Sequence, residues 1–378
     1  MKTNKFINTI SSLIITLFSV SYLGLNYFLS GESLYSVSSI IFKSTGILSY
    51  VLLIYSNKLS KYFLSLSFIF LILIISAIFT SNYNSFFAIM MHLVFIGIGL
   101  LIIESNLEHS IILANFIFYA LFFVYHMQYG ISYLVFHSLS RNYHSIFMIY
   151  ASILYYICFI KKRETLPLYP AAITFLISLW SVGRGGIISS SFLLFSIFTS
   201  YLLSNIKNRR KRIYTLVNLS IIYGIFVLFI YYFTRVNVVQ MIDRLLTRGL
   251  TDFAREDIMA EYVKLVFDDI RNLVLGVPKM QNYFFARFQF NLHNSFLNLH
   301  SYYGIFGVLF FIFLNVNAIR YYWEISTINV FILITVYMRI FTDNAAFYGL
   351  LDPVIIFLLF YPFSIKNIKS KNSIVKQL

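Results

Sequence analysis

Three short segments of this chain carry residue types suited to handling an anion. In SVGRGGIISSSF, residues 181–192, glycines at 183, 185 and 186 surround Arg184. Glycine lets a backbone turn tightly and approach a ligand closely, and the following segment reads as a helix start whose free N–H groups favour negative charge. An arginine at a helix start is repelled by the helix dipole unless an anion lies between them. A phosphate is therefore a fitting guest at Arg184, Gly185 and Gly186. The same turn also suits an arginine that snorkels to lipid headgroups.

The second segment, TDFAREDIMAEYVKLVFDDIRNLVLGVP (251–278), repeats Ile258, Met259, Tyr262, Val263, Val266, Phe267 and Ile270 at helical spacing. This predicts an amphipathic helix capped by Thr251 or Asp252 and stopped near Gly276 and Pro278. Arg255 falls in its first turn beside Glu256 and Asp257, able to meet a substrate anion or to form a solvated ion pair. The third segment, FQFNLHNSFLNLHSYYGIFG (288–307), holds His293, Asn294 and His300. Histidines seven apart share a helix face but lie about 10 Å apart along the axis. Helical metal ligands sit three or four apart, and no Cys, Asp or Glu neighbour completes a set, so no metal or other cofactor is expected. Asn294 can orient a sugar or a phosphate. His300 reads as a residue of the bundle or its interface.

These segments must be positioned by a membrane scaffold. Of 378 residues, 59% are hydrophobic and 11% charged, with a mean hydropathy of +0.79, beyond any ordinary soluble domain. A spanning helix needs about 20 mostly apolar residues. Twelve such runs lie near 6–29, 34–56, 62–80, 85–103, 110–129, 145–160, 168–182, 186–204, 213–234, 298–319, 327–341 and 345–364. The sixth, seventh and eleventh are short enough to allow a re-entrant shape. The reading is an all-α polytopic integral membrane protein: nine helices over 1–234, a large extracytoplasmic loop with an amphipathic helix over 235–297, and three helices with a basic tail over 298–378. The first run is too long for a secretion-signal core and reads as a retained helix. Cys158 is the single cysteine, so no intramolecular disulfide forms.

Charge orients the scaffold. One side receives Lys2, Lys5, Lys58, Lys61, Lys161 to Arg163, the run KNRRKR from Lys207 to Arg212, Arg320, and Lys366, Lys369, Lys371 and Lys376. The short loops of the other side hold only Arg141 and Arg184. The positive-inside bias makes the first side cytoplasmic, with both termini there, and the long loop external. The net charge of +15 is then a topology signal plus attraction to anionic membrane lipids, and nucleic acid is not an expected partner. Two charge pairs are expected within the bundle, Lys43 with Asp352 and, four residues apart, Arg339 with Asp343.

Taken in order, the three segments resemble the superfamily of bacterial O-antigen polymerases and O-antigen ligases. The elements that carry the resemblance are Gly183-Arg184-Gly185-Gly186, Arg255 with Gly276-Val277-Pro278, and His293-Asn294 followed by Tyr303-Gly304-Ile305-Phe306-Gly307. Gly183 stands where serine is common, Pro278 replaces a glycine, and Tyr303 stands where many relatives have Glu. The resemblance implies a GT-C-like membrane glycosyltransferase in the bacterial cytoplasmic membrane. Its donor and acceptor would be polyprenyl-pyrophosphate-linked oligosaccharides used at the outer face, and a chain-length regulator is the protein partner such an enzyme would have. Arg184 and Arg255 would then clamp the donor pyrophosphate, because guanidinium is always charged and forks onto phosphate oxygens. His293 would accept the proton of the attacking hydroxyl, and attack opposite the leaving group would invert the anomeric centre. Asn294, Arg141 and Arg235 are further candidates for holding sugar or phosphate. The rival readings are a ligase, which moves the same glycan onto a lipid core, and a lipid-linked-glycan transporter. The lack of a visible repeat between halves speaks against the last.

Overall fold

The computed structural model describes residues 2–80, 86–129, 135, 136, 140, 142–205, 253–288, 290–325, 327–347 and 349–375. Its regular structure is helical, with no strand among the described residues. In chain order the helices are α1 (Lys2–Tyr27), α2 (Ser33–Tyr55), α3 (Phe63–Thr80), α4 (Phe86–Glu104), α5 (His109–Met127), α6 (Tyr143–Lys162), α7 (Tyr169–Ser181) and α8 (Arg184–Asn205). After them come α9 (Phe253–Asp268), α10 (Ile270–Leu275), α11 (Ser295–Ile325), α12 (Thr327–Thr342) and α13 (Asp352–Val375), with a single helical turn at Tyr283–Ala286. Eleven of the twelve predicted apolar runs coincide with helices. The ninth, along with Arg141, Arg235 and the KNRRKR run, lies outside the described residues.

Five helices, within α1, α2, α5, α6 and α11, are long and apolar enough to cross a membrane, and six shorter helices are apolar too. Polarity is arranged as a bilayer demands. Phe63 and Leu64 of α3 are 71% and 83% exposed, whereas Arg339, His144, Ser145 and Ser152 are wholly buried. Apolar side chains face outward because lipid takes them at no cost, and polar ones turn inward to find partners. The chain is a helical membrane protein. Helix α6 sits at its centre, with every residue from His144 to Cys158 buried. Its polar groups are matched across helices: Ser152 shares a 2.6 Å hydrogen bond with Thr174 of α7, and Tyr155 meets His109 of α5 at 2.7 Å.

Alternate helix ends gather at opposite ends of the bundle. At one, Lys58, Lys61 and Tyr62 converge on Glu104, while Lys161 donates to the carbonyls of Ile103 and Ser105 that end α4. We call this the lysine end. At the other, the site end, Asn142 and Ser145 of the α6 start meet Arg339 of α12, and Tyr143 Oη donates to Asn344 O. Between the ends, Pro362 interrupts the hydrogen-bond ladder of α13 because it has no N–H. The freed carbonyl of Leu358 accepts the Tyr322 hydroxyl of α11 at 2.8 Å instead.

Three sequence expectations change at the site end. The twelfth run starts as a loop, and α13 begins only at Asp352, where Asp-Pro suits a first helical turn. The Asp352 carboxylate accepts the N–H groups of Phe347 and Gly349, so it stands at a helix head rather than seven residues inside a helix. The amphipathic helix is two helices, because Asp269 takes an extended conformation and its side chain caps the Arg271 N–H. Its apolar face is also split. Ile258 and Tyr262 are buried against the loop's own small core with Phe285 and Leu292, while Met259, Val263, Phe267 and Ile270 form an exposed stripe.

The third change is in α11, which is broken at Gly304 by a backbone of φ 58° and ψ −165° that only glycine adopts readily. A Cβ there would lie 2.0 Å from Val274 O, and one at Gly276 (φ 101°) would lie 2.5 Å from the carbonyls of His300 and Ser301. These two glycines let the loop and α11 meet backbone to backbone. Gly304→Ala should therefore destabilise the protein by about 3 kcal/mol or more, from strain plus overlap. Thermal unfolding in detergent checks this; an unshifted midpoint would contradict it.

Candidate functional site

A cavity of about 240 Å³ opens at the site end where the starts of α8, α9 and α11 meet the last turn of α12. Gly185, Arg255, His293 and Asn294 line it, drawn from the three segments singled out by residue type. Glu256 and Thr342 add polar groups, and Leu292, Leu297 and Phe341 supply apolar wall. Three helix N-termini border one cavity, and each brings the partial positive charge of its helix dipole. The setting favours an anion.

Each side chain is positioned for a stated reason. Arg255 is about one-third exposed, and its guanidinium lies 3.8 Å from the buried Asp343 carboxylate. The other Asp343 oxygen accepts Arg339 Nη1 at 2.8 Å. Arg339, fully buried, also donates to Ser145 Oγ (3.2 Å), Thr342 Oγ1 (3.0 Å) and Asn142 O (2.8 Å). The expected Arg339–Asp343 pair is thus present, and it serves a wider purpose than local pairing. It ties α6 and α12 together and offers Arg255 an anchored carboxylate. Burial makes this arrangement unforgiving, since an uncompensated buried charge costs about 3–5 kcal/mol.

His293 occupies left-handed backbone at φ 50°, stabilised by its N–H donating to Asn291 Oδ1 at 2.8 Å. A non-glycine residue held there is uncommon, and such strain concentrates at functional positions. Asn294 is buried and caps α11, its Oδ1 accepting the N–H groups of Phe296 (2.8 Å) and Leu297 (3.4 Å). Its side-chain oxygen is therefore engaged in holding the helix start, and its first duty is to aim the residues around it. His300 has a structural place, as expected: Tyr262 Oη lies 3.0 Å from its Nδ1 and Leu273 O 3.0 Å from its Nε2, joining the loop to α11.

The glycine segment reads differently in three dimensions. The left-handed residue of its turn is Val182 (φ 54°), not a glycine. The glycines serve close packing: Cβ atoms would fall 2.4 Å from Asn142 Oδ1 at Gly183, 2.3 Å from Thr342 Oγ1 at Gly185 and 2.3 Å from Ser145 Oγ at Gly186. Gly185 borders the cavity, whereas Gly186 packs on α6 away from its lining. Arg184 opens α8 one residue from Gly185, and its side chain lies outside the described residues.

Sequence reasoning missed the role of Asp343 toward Arg255. The available clue was an acid at the end of an apolar helix, where burial is costly unless the charge has a task. It also missed Lys279. This lysine is 2% exposed, donates to Asn298 Oδ1 at 2.6 Å and lies 4.4 Å from the Tyr302 ring centre. Asn298 continues to Asn344, so the loop is fastened to α11 and to the segment before α13. Desolvation brings the Lys279 ammonium down to about 7. A base whose folded pKa is depressed binds fewer protons folded than unfolded between that value and about 10.5, so stability rises with pH across the window. Wild-type unfolding midpoints should climb from pH 7 to pH 9.5 relative to Lys279→Met. Parallel pH curves for the two proteins would refute the assignment.

Compared with family models, curated proteins and solved structures, the chain matches none.

Proposed function

We propose that the chain is a polymerase of a cell-surface polysaccharide, transferring a glycan from a polyprenyl-pyrophosphate donor to a lipid-linked acceptor at the outer face of the cytoplasmic membrane. The observation that carries this reading is the meeting of Gly185, Arg255, His293 and Asn294 in one cavity at one end of a membrane bundle. An enzyme working outside the cytoplasm has no nucleotide sugar, so its activated donor is borne by a lipid and its leaving group is a phosphate ester. The cavity matches that need with three helix N-termini and an anchored arginine.

The chemistry then runs in one displacement. The acceptor hydroxyl oxygen attacks the anomeric carbon while its proton passes to the His293 imidazole. The bond from that carbon to the pyrophosphate oxygen breaks, and the electron pair leaves with the pyrophosphate. Arg255, with Arg184, stabilises the charge that grows on the leaving oxygen, a contribution realised in the transition state. Asp343 holds the Arg255 guanidinium and Asn294 holds the helix start beside it. The test is extension of a defined lipid-linked repeat unit by purified protein in detergent. Ladder formation supports the polymerase. Transfer only to a lipid-core acceptor would identify a ligase, and no transfer to either would overturn the reading.

A further inference from the structure

A second feature lies apart from the cavity. Between α3, α11 and α13 run two half-open cavities of about 110 and 230 Å³. They share Phe310, Leu314 and Phe360, so they adjoin end to end along one groove between these helices. Its upper part reaches Phe347 and Asp352 near the site end, and its lower part reaches Lys61 and Tyr62 at the lysine end. The surface beside it is lipid-facing: Phe68 and Leu71 of α3 and Leu309 and Phe313 of α11 are exposed. Its middle, walled by Phe310, Leu314 and Phe360, is apolar and adjoins that surface, so hydrocarbon is the fitting occupant there.

The charge at its lower mouth selects the headgroup. Lys58 and Lys61 both approach Glu104, at 3.7 and 3.1 Å, leaving one cation in excess of the single carboxylate. Tyr62 lines the mouth and donates to the same Glu104 at 2.7 Å, which holds the group together. Ser364 of α13 lines the mouth as well, and the sequence of α13 continues through Lys366, Lys369 and Lys371. We propose that this groove is a binding site for one anionic phospholipid, its chain along Leu314 and Phe310 and its headgroup phosphate at Lys58 and Lys61. The charged mouth lies at the end opposite Arg255 and His293. A donor held at the catalytic cavity would bring its phosphates to the site end, so the occupant belongs to the other leaflet.

Protein purified in mild detergent and titrated with phosphatidylglycerol, phosphatidylcholine or a long polyprenyl phosphate, read by native mass spectrometry, tests this. One phosphatidylglycerol should be retained per chain with a preference of about tenfold over phosphatidylcholine, as expected for two lysines near a lipid phosphate. The preference should vanish in Lys58→Gln/Lys61→Gln, and Leu314→Trp should expel both phospholipids by filling the groove. Equal retention of the two phospholipids by the unmodified protein would overturn the proposal. So would unchanged retention by the plugged variant, or displacement of phosphatidylglycerol by polyprenyl phosphate at equal concentration. The comparison of lipids on the unmodified protein stands even if the tryptophan variant fails to fold, and none of these readouts depends on glycan transfer.

Discussion

Alanine at position 293 is expected to lower glycan transfer by about 10²–10⁴-fold, the range lost when a positioned proton acceptor is removed, with the protein still inserted at its normal abundance. The backbone complicates the reading, because His293 is held at φ 50° and alanine is strained there. Two companions separate the effects. His293→Asn and His293→Gly both accept left-handed backbone, so neither disturbs the turn that Asn291 supports. If the imidazole takes the acceptor proton, all three variants fail alike. Should the asparagine or glycine variant extend chains at near wild-type rate, His293 would be a turn residue and the proton would go elsewhere, with Glu256 the next group in the cavity to try.

Loss of Arg255 is the second large effect. Removing one charge-directed donor costs about 3–4 kcal/mol of transition-state stabilisation, or about 10²–10³-fold in kcat. Arg255→Lys should fall nearly as far, because an ammonium cannot span Asp343 and a phosphate in the forked manner of guanidinium. The cavity-side position of Arg255, about one-third exposed, means that neither substitution should lower the unfolding free energy by more than about 1 kcal/mol. A lysine variant with full kcat would reduce Arg255 to a simple charge. Asp343→Asn makes an instructive contrast. It should lower both activity and stability, since it loosens Arg255 and leaves the fully buried Arg339 without its carboxylate.

The candidate site shows where a sequence is readable. Arg255 and His293 stood out because their neighbours were informative: acids at a helix start in one case, an Asn beside the chain's return to the membrane in the other. Asp343 did not, because its meaning depends on Arg255, a residue in another element that only folding brings to it. Lys279 was silent for the same reason. Nothing near it in the chain announces that Asn298 and Tyr302 will close over its ammonium. Asn294 was noticed as a group able to hold sugar or phosphate, and the tertiary structure adds that its oxygen caps α11. The glycines at 183, 185 and 186 were noticed for turning, when Val182 makes the turn and the glycines admit Asn142, Thr342 and Ser145.

Helix positions and membrane residence followed from the sequence alone, because the cost of taking a peptide group into lipid is a local property, met residue by residue within a run of about 20. Which face of each helix matters was another question. The runs that became α3 and α6 are both apolar, yet one faces outward and the other is buried on all sides. In lipid, hydrophobicity does not distinguish a partner helix from an acyl chain. That choice rests on small residues, hydrogen-bond partners and shape, which are relations between distant segments. The same holds at the site end, where the residue types were local facts, and the cavity that joins Gly185, Arg255, His293 and Asn294 exists only because three helix starts converge there.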